Sequence, residues 1–157
     1  ITLLVGLACI GFSVYAGWDG GMQVLESDNY QLDHGQFEIL VGQGDTRAQT
    51  KLGLMYREGY DVEVDLERAV HWYHEAAKGG DPSAQNRLGY AYEHGEGVAR
   101  SYERARFWYE QAARQGHSIA QFRLGVLYAG GHEVEYSYEK SEKWLKAALK
   151  QWRGTAL

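Results

Sequence analysis

Apolar positions along this chain fall on a helical stripe, and the same stripe returns every 36 residues. Ala48, Leu52 and Tyr56 stand at i, i+4 and i+8, one face of a helix with about 3.6 residues per turn. A glycine-bearing polar stretch follows, then a second apolar stripe through Ala69, Trp72, Tyr73 and Ala76. Ala48, Leu52, Tyr56, Trp72 and Ala76 return as Ala84, Leu88, Tyr92, Trp108 and Ala112, and again as Ala120, Leu124, Tyr128, Trp144 and Ala148. Gly53, Gly59 and Val62 keep step as Gly89, Gly95, Val98 and then Gly125, Gly131, Val134, with nothing inserted or deleted. A fixed period of roughly 20 to 50 residues marks a stacked repeat array. The pattern predicts repeats over 45–80, 81–116 and 117–152, each an antiparallel pair of helices A and B.

The polar positions set the boundaries. Asp81-Pro82 reads as an N-cap followed by a proline suited to the first turn, so helix A runs from there to about His94. A loop at Gly95-Glu96-Gly97-Val98 reverses the chain, and helix B runs from Tyr102 to Arg114 with Ala105, Trp108, Tyr109 and Ala112 inward. The column Asn29, Asp65, Ser101, Ser137 consists of N-cap types and starts each helix B. Gly89 leaves room for a neighbouring helix. Residues 17–44 read as a degenerate N-terminal repeat, with Phe37 opposite Tyr73, Gln36 in place of Trp, and Gly42-Gln43-Gly44 closing it. The second loop glycine is replaced by Asp61 in the first repeat and Glu133 in the third. Asp tolerates a left-handed backbone better than Glu does, so a different path is expected over 129–134. The fold class is all-α: a right-handed α/α solenoid of three full repeats plus the degenerate one, ending in a tail at 153–157.

These residues carry a resemblance. Ala-x-x-x-Leu-Gly-x-x-Tyr, then Gly-x-Gly-Val, then Ala-x-x-Trp-Tyr-x-x-Ala-Ala with a closing Gly, best seen from Ala84 to Gly116, resembles the Sel-one-like repeat. That is a 36-residue relative of the tetratricopeptide repeat. The likeness covers 45–152 closely and 18–44 weakly. It implies an α-solenoid that binds other proteins, and exported bacterial members of such a family are often envelope adaptors or host-interaction factors. Cysteine-rich secreted relatives associated with β-lactam binding or hydrolysis imply an enzymatic alternative, but their cysteine framework is missing here.

Composition adds detail. Three of the five tryptophans share the column Trp72, Trp108, Trp144. Each is expected to bury about 150–250 Å², and Trp108→Ala to cost about 3–5 kcal/mol. The net charge is −5, and no Lys or Arg precedes Arg47, which argues against nucleic acid as a partner. Lys143, Lys146, Lys150 and Arg153 form a solvated stripe that complements the dipole of the last helix.

Ile1 to Ala16 is uncharged and almost wholly apolar, and at 16 residues shorter than the roughly 20 a bilayer span needs. It reads as the apolar part of a secretory signal, with Val14-Tyr15-Ala16 an acceptable cleavage site. The alternatives are a retained membrane anchor facing the periplasm and a buried helix. The expected location is therefore periplasmic or secreted. The one cysteine, Cys9, lies in this stretch, so a processed chain has no disulfide, thiol nucleophile or thiolate ligand.

Candidate chemistry is sparse. His71 and His74 lack a third ligand, Gly95-Glu96-Gly97 is a turn and not a phosphate cradle, and Ser101 and Ser137 are caps. No catalytic residue, metal or cofactor is expected. The functional signal is a stripe on helix A that varies between repeats: Arg47, Thr50, Leu54, Arg57; then Ser83, Asn86, Tyr90, Glu93; then Ile119, Phe122, Val126, Ala129. In tetratricopeptide-like stacks this stripe lines the concave groove. It grades from basic to apolar, which suits a peptide partner with an acidic end and an apolar anchor. Packing inside the array is the competing explanation for each of these side chains. A second candidate is the uncapped last helix, where Trp144, Leu145, Leu149 and Trp152 suit docking onto a partner or a second copy.

Overall fold

The computed structural model describes residues 39–130 and 135–154. Residues 39–42 are helical and turn at 43–44 into six full helices. These are α1 (Thr46–Glu58), α2 (Leu66–Lys78), α3 (Pro82–His94), α4 (Tyr102–Arg114), α5 (Ser118–Gly130) and α6 (Tyr138–Gly154). The described residues are all-α, and each helix packs on the next in the chain, most extensively within the pairs α1/α2, α3/α4 and α5/α6. The expectations for 1–38, Cys9, Asn29 and Phe37 among them, lie outside the described residues, as do those for Gly131, Glu133, Val134 and 155–157.

The caps fall where the polar columns put them. Asp65 accepts from the Arg68 N–H at 2.9 Å, Ser101 from Arg104 at 3.3 Å and Ser137 from Lys140 at 3.3 Å. Each such cap contributes about 1 kcal/mol. Helix A is capped by Asp45, whose carboxylate accepts from Ala48 at 3.2 Å, and by Asp81, which accepts from Ala84 at 3.1 Å. In the third repeat the imidazole Nδ1 of His117 takes this role, accepting from the Ala120 N–H at 3.2 Å. Gly59 and Gly95 end α1 and α3 in the left-handed region, with φ of 76° and 73°. Asp61 takes φ 58° where the second repeat has Gly97 at 68°, as the substitution implied.

Within each pair the helices close over a glycine. A Cβ on Gly53 would stand 2.7 Å from the Tyr73 ring, on Gly89 2.6 Å from the Tyr109 ring, and on Gly125 2.7 Å from Leu145. The core is a succession of small and large side chains: Ala48, Leu52, Met55 and Tyr73 in the first repeat, then Ala105, Tyr109, Leu124 and Leu127 further on. The tryptophan column departs from expectation. Trp72, Trp108 and Trp144 are only partly buried, while Tyr73 and Tyr109 beside them are fully enclosed. The tyrosine points between the helices of its own repeat; Trp108 instead packs back on the preceding core and meets His74 edge-on at 5.8 Å.

A buried glutamine ladder links the repeats. Gln85 Nε2 donates to the Ala77 carbonyl at 3.2 Å, and its Oε1 accepts from Gln115 Nε2 at 2.8 Å. Gln121 repeats this with Ala113 at 3.1 Å and Gln151 at 3.3 Å. In the first repeat Gln49 holds the same column, but Gly79 stands where Gln115 and Gln151 supply the donor. Gln49 Oε1 is correspondingly buried without a partner. Thr46 explains the glycine, since a Cβ on Gly79 would come within 2.3 Å of its methyl group.

Candidate functional site

The A-helix stripe divides into three environments. On α1, Arg47 is exposed, but Thr50 and Leu54 are only 7% and 8% exposed. The Thr50 hydroxyl donates to the Asp81 carboxylate, which caps α3. These two positions therefore serve the array internally and are withdrawn from the groove. On α5, Ile119, Phe122 and Val126 are 49%, 42% and 46% exposed. Between these lies a cavity of about 300 Å³.

The cavity's walls come from four helices. α1 supplies Arg57, α2 supplies Tyr73, α3 supplies Asn86, Arg87 and Tyr90, and α5 supplies Ile119 and Arg123. Tyr90 is ringed by cations and an imidazole: Arg57 lies 5.4 Å and Arg123 4.7 Å from its centroid, and His94 stacks on it at 4.0 Å. Arg57 donates to Glu96 at 3.0 Å, a hydrogen bond that raises its pKa further and keeps it charged. Glu93, foreseen as a groove residue, is engaged from two sides. It accepts from the Tyr109 hydroxyl at 2.6 Å and pairs with Arg123 at 3.5 Å.

Three of the lining residues keep a polar atom sealed behind the cavity wall without a hydrogen bond: the Tyr73 hydroxyl, Asn86 Oδ1 and Arg123 Nε. Burial pushes the Tyr73 phenol up to about 12, so it is a neutral donor at physiological pH. Arg87 lies over the Tyr73 ring, 5.9 Å from its centroid, and has no carboxylate within ion-pair distance among the described residues. A buried polar group left unmatched costs about 1–3 kcal/mol, but these atoms are closed to a ligand in the cavity, which leaves the arginines as its polar face. Arg87 and Arg123 belong to the column Lys51, Arg87, Arg123, basic in every repeat. That regularity was legible in the sequence beside the varying stripe and is the signal that finds them. Tyr73 had no such signal, because its place in the core hides that it also borders the cavity.

His117 also lines the cavity. Burial holds its imidazole below the usual histidine range; Arg87 acts the same way, and Asp81 opposes it. Because Nδ1 accepts the cap hydrogen bond, protonation would remove the cap. As pH falls, the unfolded chain takes up this proton first, near pH ~6.5, so the contribution is complete above that value and lost as pH drops through the lower folded value. His117→Asp, the capping residue of the other two repeats, is expected to shrink the fall in Tm between neutral and mildly acidic pH. An unchanged fall would exclude His117 as its source.

At the far end Leu145 covers Gly125, and Trp144 is partly buried. Leu149 and Trp152 are exposed. The Trp152 ring lies 5.6 Å from Phe122, so the two candidate surfaces meet in one apolar edge. Among the described residues no three His, Cys, Asp or Glu side chains gather as metal ligands, and no helix is long and apolar enough to cross a membrane.

The Sel1 repeat family matches residues 46–81, 82–117 and 118–151, and the chain belongs to that family. Repeats of this family are generally protein-interaction scaffolds, typically without catalysis. Among solved structures, the chain is similar to a Sel1 repeat protein from Oxalobacter formigenes at 29% identity and TM-score 0.74, covering 85% of this chain and 53% of that one. It is similar also to a protective antigen of uropathogenic Escherichia coli with an SLR fold, at 32% identity and TM-score 0.79, covering 92% of this chain and 32% of that one. The chain thus spans about half or less of the solved relatives it matches. A comparison with curated proteins gives no significant match.

Proposed function

We propose that this chain is a non-catalytic adaptor that holds a peptide segment of another protein along the A-helix face, in the bacterial envelope or outside the cell. The observation that carries the reading is the row Ile119, Phe122, Val126, exposed beside a cavity lined by three arginines. An apolar row next to polar groups offers both the anchoring area and the directional contacts that peptide recognition uses. Location outside the cytoplasm is supported by the apolar stretch Ile1 to Ala16 and by the likeness to a protective antigen. A retained anchor at that stretch would make the chain a membrane-held subunit with the same groove.

Tyr90 is held by three neighbours, so the exposed row gives cleaner variants. Phe122→Ser with Val126→Asp is expected to leave helicity and Tm nearly unchanged, because surface changes away from the core usually stay within about 0.5 kcal/mol. Capture of the partner from envelope extract is expected to fall to background. Retention of the same partner by this variant and the unaltered chain would overturn the groove as the working surface.

A further inference from the structure

We infer that the cavity between α1, α3 and α5 is a carboxylate pocket, which takes the side chain of a Glu or Asp in the partner peptide while the neighbouring apolar residue seats on Ile119 and Phe122. The inference rests on the peptide-groove reading and adds to it the chemistry of the recognised residue. Three arginines and one carboxylate, that of Glu96, line the cavity, in a chain whose net charge is −5. The positive character is thus local and set against the trend of the molecule. Arg57 is matched by Glu96 and the Nη1 of Arg123 by Glu93. Arg87 has no carboxylate within ion-pair distance among the described residues.

The arginine lining favours an acceptor-rich ligand. A carboxylate, with two oxygens and about four lone-pair sites, can pair with Arg87 and accept from more than one of its N–H donors at once. A cation would be repelled by the arginines, and a purely apolar side chain would leave Arg87 without a carboxylate. The source is a side chain, because the exposed α5 row runs on through Val126 past the cavity and offers a seat for chain beyond the recognised residue.

The test uses the full chain and short fluorescein-labelled peptides, read by anisotropy. One peptide carries a central glutamate followed by two leucines and an amidated end; a second replaces the glutamate with glutamine. A third has the glutamine and a free C-terminal carboxylate. The glutamate peptide is expected to bind about tenfold or more tightly than the glutamine one, the scale of one charged hydrogen bond. Arg87→Gln is expected to erase most of that difference by weakening the glutamate peptide far more than the glutamine one. High salt is expected to narrow it as well. Equal binding of the first two peptides, lost in Val126→Asp, would overturn the pocket and leave the groove standing. Preference for the third would overturn the side-chain source. Binding of none would overturn the pocket, and the partner capture with Phe122→Ser, Val126→Asp then judges the groove separately.

Discussion

Gly97→Ala is expected to destabilise the array by about 3 kcal/mol or more, among the largest effects a single methyl can have. Two costs combine at this position. Gly97 has φ 68°, a left-handed conformation that costs an L side chain roughly 1–2 kcal/mol. The added Cβ would also come within 2.2 Å of the Leu66 carbonyl oxygen and 2.5 Å of its carbon. Those atoms are backbone at the start of α2, so no rotamer change relieves the contact; the loop must lift away from the preceding repeat. Gly95→Ala separates the two costs. Gly95 has a similar φ of 73°, but its Cβ would meet nothing nearer than 3.5 Å. It should lose only the conformational part, about 1–2 kcal/mol. Urea midpoints of the two variants make the comparison, and equal losses would refute the idea that close contact between repeats fixes Gly97.

Tyr109→Ala should cost about 3–5 kcal/mol, the range for emptying a large buried site. The ring is fully enclosed, lies against Gly89, and donates its hydroxyl to Glu93 at 2.6 Å. Burial, then the neighbouring Glu93, drive the phenol far up, so it is a neutral donor at physiological pH. Tyr109→Phe keeps the packing and removes the donor, with an expected loss of about 1–3 kcal/mol. It should also loosen the Glu93–Arg123 pair at the cavity's edge. Trp108→Ala should cost less than Tyr109→Ala, since Trp108 is only partly buried. The reverse order in a denaturation series would restore the tryptophan column as the centre of the core.

The sequence by itself determined the local structure and the architecture. Period, helix boundaries, cap residues and the left-handed Asp61 could all be read from Asp65, Ser101, Asp81-Pro82 and the recurring glycines. Each of these is enforced by interactions within a few residues, and a repeated chain states the same rule three times. Stacking then follows, because every pair has an apolar face that only its neighbour can cover.

Tertiary structure decided what depends on distance between repeats. Trp108 and Tyr109 are adjacent aromatics in the sequence, yet α3 encloses only the tyrosine, because Gly89 lies opposite its ring. Thr50 and Leu54 sit on the same varying stripe as Phe122 and Val126, but the first two are buried and the last two exposed. The cavity draws Arg57, Tyr73, Arg87 and Arg123 from four helices, with ion pairs such as Arg57–Glu96 spanning 39 residues. A stripe read along one helix cannot show which side chains a neighbouring repeat will cover, pair or leave unmatched. Those outcomes are set by how the stacked repeats approach one another.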